Sequence, residues 1–168
     1  KRVSVGAVGG SVELTADSLF KNAGINPDDI KKERLGHSES VAALQDKQID
    51  AAITVGAVGI ASVVEPMTLG IVDLISVPNS VIKKMIKETP YFAPLTIPAG
   101  SYKGQDKDIK TFSSPNILAV NKNLDDKTVY EMTKSLFQHK KDLTVISARM
   151  SAMDPSHVKD IKIPLHPG

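Results

Sequence analysis

The chain has 168 residues, of which 41% are hydrophobic and 24% are charged, a composition typical of a globular protein. Lys and Arg exceed Asp and Glu by only 21 to 19, and aromatic residues make up 4%, so no nucleic-acid partner is predicted. The absence of cysteine excludes disulfides, zinc ribbons and thiol catalysis. No apolar run approaches the ~20 residues that span a bilayer.

The chain is long enough for one domain or two small lobes with a real core. It begins with Lys1, two residues before a core-type strand, without an initiator Met or the apolar region of a signal peptide. We therefore expect it to be a fragment that lacks an N-terminal portion of a larger protein.

The first element is a short β-branched strand over residues 3–5, followed by a loop with three glycines and then a helix that Gly24 closes. Helical periodicity predicts a core face formed by Leu14, Ser18, Leu19 and Ala23. A glycine loop at a helix start points unpaired N–H groups and the positive end of the helix dipole at one spot. The pattern is typical either of an anion cradle or of a tight turn.

A glycine loop that leads into a helix also follows a second predicted strand. Residues 49–55 form a continuous apolar run, typical of a strand in a parallel sheet covered on both faces. This run ends in the glycine loop 56–59, after which a helix begins at Ile60. Because loops after the carboxyl ends of parallel strands converge where ligands bind, we expect the two glycine loops to share one site.

The remaining pattern alternates strands and helices, which predicts an α/β fold. Strands are predicted over residues 30–35, 69–77 and 116–120, and helices over 38–45, 79–87 and 126–139. Asp125 is the expected cap of the last helix. Between the predicted helix 79–87 and the predicted strand 116–120, residues 89–112 are rich in proline and glycine, which is typical of a functional loop or a crossover between lobes.

No catalytic, metal or cofactor site is predicted. The glycines at 6, 9 and 10 do not have the dinucleotide-binding spacing, no Lys follows Gly10 as in a phosphate-binding P-loop, and no nucleophile elbow is present. The four histidines lack metal-ligand spacing. Asp50 beside a strand could be a buried carboxylate, but a turn residue at the strand start is the favoured interpretation.

Several stretches together resemble one family, the TAXI class of solute receptors, which are the extracytoplasmic binding proteins of TRAP transporters. The most specific stretch is Ile97-Pro98-Ala99-Gly100-Ser101-Tyr102-Lys103-Gly104-Gln105. The others, in the same order along the chain, are residues 1–7, 48–52, 129–134 and 164–168. The resemblance spans almost the whole chain.

The resemblance implies a type II periplasmic-binding fold, in which two α/β lobes with mostly parallel sheets close on a solute. Residues 1–112, including the crossover loop 89–112, are then the second, inserted lobe, a three-layer structure. Residues 113–168 are the return strand and helices of the incomplete first lobe. The implied location is periplasmic or extracytoplasmic, and the implied partners are the membrane permease subunits of the transporter and the missing N-terminal lobe.

The resemblance also implies a ligand, a small organic anion or an acidic amino acid such as glutamate. The family loop commonly reads Gly-Ala-Pro-Gly-Ser-Gly-Thr-Glu, whereas residues 6–13 read Gly-Ala-Val-Gly-Gly-Ser-Val-Glu. The backbone cradle survives this change, but the hydroxyl moves to Ser11 and a Thr is lost at Val12. The candidate ligand-binding residues are Gly9, Gly10, Ser11, Val12, Gly56, Ala57, Val58, Gly59 and Tyr102.

Two alternatives stay open. The first is an α/β enzyme that holds a phosphate in the same loop, which needs a Lys, Arg or metal ligand beside Gly9 and Gly10, and the nearby sequence offers none. The second is an immunogenic or interaction fragment with an unused cleft. An isolated lobe would expose an apolar face, so a homodimer of the fragment is also expected.

Overall fold

Strand β1 (Arg2–Ser4) is the centre of a three-stranded parallel sheet. The computed structural model describes residues 1–114, 116–146, 150, 153–160 and 164–168. β1 pairs on one side with β2 (Lys31–Glu33) and on the other with β3 (Ala51–Ala52), so the strand order is β2-β1-β3. The predicted α/β class and mostly parallel sheet are therefore confirmed, and the arrangement matches a partial periplasmic-binding-type lobe.

Helices cover both faces of this sheet. Val3 and Val5 pack against Ala16 and Phe20 of helix α1 (Ser11–Ala23). The residue between the two valines, Ser4, contacts Ser40 of helix α2 (His37–Gln45) instead. Because successive side chains of a strand point to opposite faces, α1 and α2 lie on opposite sides of the sheet. The predicted three-layer arrangement follows.

Helix α1 turns a different face to the core from the one that periodicity predicted. Leu14 is 68% exposed, whereas Phe20 is 8% exposed and Ala16 is fully buried. Residues 14 and 20 lie about 120° apart around a helix, so they cannot share one core face. The prediction for Leu14 was wrong because periodicity leaves two apolar faces open, and the contact with Val3 and Val5 selects between them.

Further along the chain come helices α3 (Ala61–Leu69) and α4 (Asn79–Glu88) and the paired strands β4 (Ala93–Ile97) and β5 (Ile109–Ser113). α3 packs with α2, and α4 packs with α1. The predicted helix 79–87 is confirmed, with Val81, Ile82 and Met85 buried.

Two predicted strands are absent from the described structure. Residues 71–78 follow α3 and its left-handed Gly70 without forming a strand. The backbone N–H of Val77 nevertheless donates to the Lys110 carbonyl at 2.8 Å. Residues 116–120 are likewise not in a strand. An apolar run alone does not make a strand, because a strand also needs a neighbouring strand with which its backbone N–H and C=O groups form hydrogen bonds.

Contacts within the chain define two compact units, one of residues Lys1–Thr89 and Pro94–Phe112 and one of Pro90–Ala93 and Ser113–Gly168. The second unit contains α5 (Asp126–Gln138), α6 (Lys140–Ile146) and a 3-10 helix (Pro155–Asp160). The predicted cap is confirmed, since the Asp125 carboxylate accepts from the Thr128 N–H at 2.9 Å. The assignment of either unit to a lobe stays a prediction. Among the described residues, no helix has the length and apolar character to cross a membrane.

Candidate functional site

The two glycine loops follow neighbouring strands. β1 and β3 are parallel and hydrogen-bonded to each other, so their carboxyl ends lie at the same edge of the sheet. The structure therefore brings the two predicted loops to one edge. In sheets with strand order 2-1-3, the crevice between these two strands is where ligands bind.

The two loops have the same sequence and the same turn. Residues 5–9 and 55–59 both read Val-Gly-Ala-Val-Gly. In the first, Gly10 N–H donates to the Ala7 carbonyl at 3.0 Å, and in the second, Ile60 N–H donates to the Ala57 carbonyl at 3.3 Å. The third residue of each turn is a left-handed glycine, with φ of 69° at Gly9 and 90° at Gly59. This repeated pentapeptide is the sequence signal that marks the pair.

The first glycine of each loop allows a close approach to the following helix. A Cβ on Gly6 would lie 2.6 Å from the Val12 Cβ, and a Cβ on Gly56 would lie 2.6 Å from the Ile60 Cδ1. A side chain at Gly6, where φ is 81°, would therefore push the loop away from α1, whereas at Gly56 the Ile60 side chain would have to shift.

Two of the four N–H groups of the predicted first cradle have internal partners. Gly9 N–H donates to Glu13 Oε2 at 2.8 Å, and Gly10 N–H donates to the Ala7 carbonyl. Within the described residues, the N–H groups of Ser11 and Val12 have no hydrogen-bond partner. The part of the predicted cradle that is open to a ligand is therefore the first turn of α1, not the glycines themselves.

Arg34, which the sequence gave no reason to select, stands beside this loop. Its Nε lies 2.8 Å from Glu13 Oε1, and the Glu13 side chain is only 13% exposed. The hydrogen bond from Gly9 N–H, followed by the Arg34 contact, lowers the pKa of Glu13 below its usual value near 4.5. The sequence close to the first glycine loop offers no basic residue, but the fold brings Arg34 to Glu13 beside it. Arg34 is distant in sequence and follows β2, which pairs with β1.

In the second loop, too, the N–H of the left-handed glycine has a partner within the chain. Gly59 N–H donates to the Tyr102 hydroxyl oxygen at 2.9 Å. The structure thus brings Tyr102 to the predicted loop, but the residue is only 7% exposed and packs with Val63 and Met67 of α3. Ala61 and Ser62, at the start of α3, have no partner for their N–H groups in the described part of the chain. They are the counterparts of Ser11 and Val12.

The tips of both loops carry exposed valines. Val8 is 78% exposed and Val58 is 47% exposed.

A surface concavity of about 260 Å³ lies elsewhere, between α4 and the β4–β5 pair, where Ile82, Ile86 and Leu95 line it. The described residues contain no group of His, Asp and Glu side chains that could hold a metal ion. Whether the loop residues bind a solute stays a prediction.

Asp50 has a structural role at the start of a strand, which was the favoured interpretation of this residue from the sequence. Its Oδ2 accepts from the Arg2 backbone N–H at 2.7 Å, and its Oδ1 lies 3.0 Å from the Arg2 guanidinium. The hydrogen bonds from Arg2 lower the pKa of Asp50 from 3.8 to about 2. Asp50 therefore fastens the start of β3 to the start of β1.

The model of the NMT1-like family matches residues 1–168 of the chain. No curated protein matches it. The family match covers both compact units and both glycine loops.

Proposed function

Because the chain belongs to the NMT1-like family, a family of periplasmic-binding-protein-like proteins, we propose that it is the extracytoplasmic solute-binding component of a TRAP-type transporter. Within that proposal, its class is TAXI and its solute is a small organic anion or an acidic amino acid such as glutamate. The family match supports the solute-binding role. The transporter class and the solute rest on the resemblance of residues 97–105 and of the shorter stretches.

The observation that carries the proposal is the pair of identical glycine turns at the ends of neighbouring parallel strands. Each turn leads into a helix whose first two N–H groups are unpartnered among the described residues. In this proposal the N–H groups of Ser11 and Val12, with the Ser11 hydroxyl, hold a carboxylate, and loop 56–59 lines the other side. The solute makes contacts with both lobes only when they close, which stabilises the closed form that the permease recognises. No bond is made or broken.

Two substitutions at Ser11 separate the amide from the hydroxyl. Ser11→Pro removes both the hydroxyl and the N–H at the first position of α1, where proline is well tolerated, whereas Ser11→Ala removes only the hydroxyl. The preceding Gly10 has φ of −78° and ψ of 162°, which is compatible with a following proline. We expect Ser11→Pro to abolish the amide-shift changes of Val12 in an NMR titration with L-glutamate, carried to high millimolar concentration so that weak binding is detected.

The control variant is Asn79→Pro, at the first position of α4, where Pro78 has φ of −57° and ψ of 139°. This variant has the same backbone change at another helix start and should bind L-glutamate like the wild type. Ser11→Ala should weaken binding by less than Ser11→Pro, because it keeps the N–H. A wild-type chain that binds neither L-glutamate nor any other small anion contradicts the proposed solute.

The proposed macromolecular partners are the permease subunits and, for a single lobe with an exposed face, a second copy of the chain. Light scattering across a concentration series tests the dimer. A monomer at every concentration rules it out.

The phosphate-holding enzyme is a second candidate because Arg34 supplies the basic residue that it requires. Its guanidinium is already paired with Glu13 at 2.8 Å, however, which favours the binding protein. Titration with inorganic phosphate in place of L-glutamate distinguishes the two. Tighter binding of phosphate supports the enzyme.

A further inference from the structure

We propose that Tyr102 is a positioning residue that acts on the solute site through Gly59 rather than by touching the solute. Its hydroxyl holds the second glycine loop in its turn, as the Glu13 carboxylate holds the first. This inference rests on the proposed function, in which loop 56–59 lines the solute site.

The loop that carries Tyr102 is braced by its own hydrogen bonds. Gly100 N–H donates to the Gln105 carbonyl at 2.8 Å, and Gln105 N–H donates to the Tyr102 carbonyl at 3.2 Å. The Gln105 side chain is buried, and its Nε2 lies 3.3, 3.0 and 3.0 Å from the carbonyl oxygens of Ile97, Pro98 and Lys107. The loop is therefore a rigid support for the tyrosine.

From this support the Tyr102 ring reaches α3. It packs with Val63 and Met67, and the partly buried Ile60 packs against the same cluster. A second tether joins the loop to the other end of α3, where Lys103 Nζ donates to the Thr68 carbonyl at 3.1 Å. The Tyr102 hydroxyl extends from this cluster to the glycine turn, where it accepts from Gly59 N–H.

The Tyr102 contact has the same place in its loop as the Glu13 contact. Gly9 and Gly59 are the left-handed glycines of identical turns, each directly before the residue that caps the next helix. In both, a side-chain oxygen accepts from the glycine N–H, at 2.8 Å from Glu13 and 2.9 Å from Tyr102. Because that glycine N–H and the N–H of the capping residue have partners within the chain, each loop presents its valine tip and the first two N–H groups of the following helix.

Tyr102→Phe tests this role, because it keeps the ring in its cluster and removes only the hydroxyl. We expect amide exchange of Gly59, followed by NMR without any solute, to become roughly threefold to tenfold faster, which corresponds to the loss of one hydrogen bond. Exchange at Gly9 should not change. The matched control is Tyr130→Phe, since the side chain of Tyr130 is on the surface at 52% exposure.

The second measurement is the affinity for L-glutamate. If Tyr102 positions the loop, Tyr102→Phe weakens binding by roughly threefold to tenfold while the thermal midpoint stays close to that of Tyr130→Phe. Unchanged Gly59 exchange overturns the inference, and so does global unfolding of Tyr102→Phe. If Gly59 exchange rises as expected but the wild type does not bind L-glutamate, the proposed solute fails and the positioning contact stands.

Discussion

Glu13 and Arg34 form an ion pair at the first glycine loop, with 2.8 Å between Oε1 and Nε. The other carboxylate oxygen accepts from Gly9 N–H. The loop therefore already holds a carboxylate, and it comes from the protein itself. An anionic solute at the start of α1 therefore meets the like charge of Glu13.

Glu13→Gln should therefore tighten binding of L-glutamate, because it removes a like charge from the site and frees Arg34. The expected gain is roughly threefold to tenfold in Kd at low salt, and it should shrink as salt screens the charges. NMR titration at two ionic strengths measures both effects.

Glu39→Gln is the matched control. Glu39 Oε2 accepts from Gly36 N–H at 2.8 Å at the start of α2, so it has the same relation to a helix N-terminus. No ion pair of Glu39 is found among the described residues, and its substitution should leave the Kd unchanged. Weaker binding by Glu13→Gln would mean that the Glu13 charge supports the solute site instead of repelling the solute.

The Arg2–Asp50 contact predicts a pH dependence of stability. The Asp50 pKa is lowered in the folded chain from 3.8 to about 2. The contact therefore stabilises the fold in full at pH values above 3.8, the pKa of Asp50 in the unfolded chain. That contribution is lost as the pH falls through about 2. Thermal midpoints of the wild type and Asp50→Asn should therefore differ most near neutral pH and converge in acid.

Asp106→Asn is the control for this titration, because Asp106 is exposed and has no ion pair in the described part of the chain. Its midpoint should follow the wild type at every pH. A gap between wild type and Asp50→Asn that is independent of pH argues against the ion pair as its source.

The buried hydroxyls of Ser4 and Ser40 lie 2.7 Å apart between the sheet and α2. Ser40 Oγ donates to the Gly36 carbonyl, so the hydrogen between the two serines comes from Ser4. Ser40→Ala leaves this buried donor without an acceptor and should cost about 1–3 kcal/mol. Ser4→Ala leaves every donor paired and should cost less, about 0.5–1.5 kcal/mol. Urea unfolding measures both, and the reverse order contradicts the assignment of the donor.

The core face of α1 can be tested by two substitutions on one helix. Phe20→Ala removes a ring that packs on Val3 and Val5 and should lower the free energy of unfolding by about 3–5 kcal/mol. Leu14→Ala, on an exposed side chain, should change it by less than about 0.5 kcal/mol. Equal losses in urea unfolding would mean that both faces are buried.

Local chemistry made much of this fold predictable. Gly24 ended α1 and Asp125 began α5 where expected, because caps act through neighbouring backbone groups within one turn. The alternation of strands with helices predicted the parallel sheet. The strand predicted over residues 69–77 was wrong because an apolar run does not reveal whether a strand lies beside it.

The sequence by itself determined that two identical glycine turns end two strands, since each turn needs only the residues within it. Only the tertiary structure decided which N–H groups stay open. Arg34 is 21 residues from Glu13 and Tyr102 is 43 residues from Gly59, and these contacts form only once the sheet and α3 are packed. A backbone donor is available to a ligand only if no distant side chain reaches it first, and packing alone sets that distance.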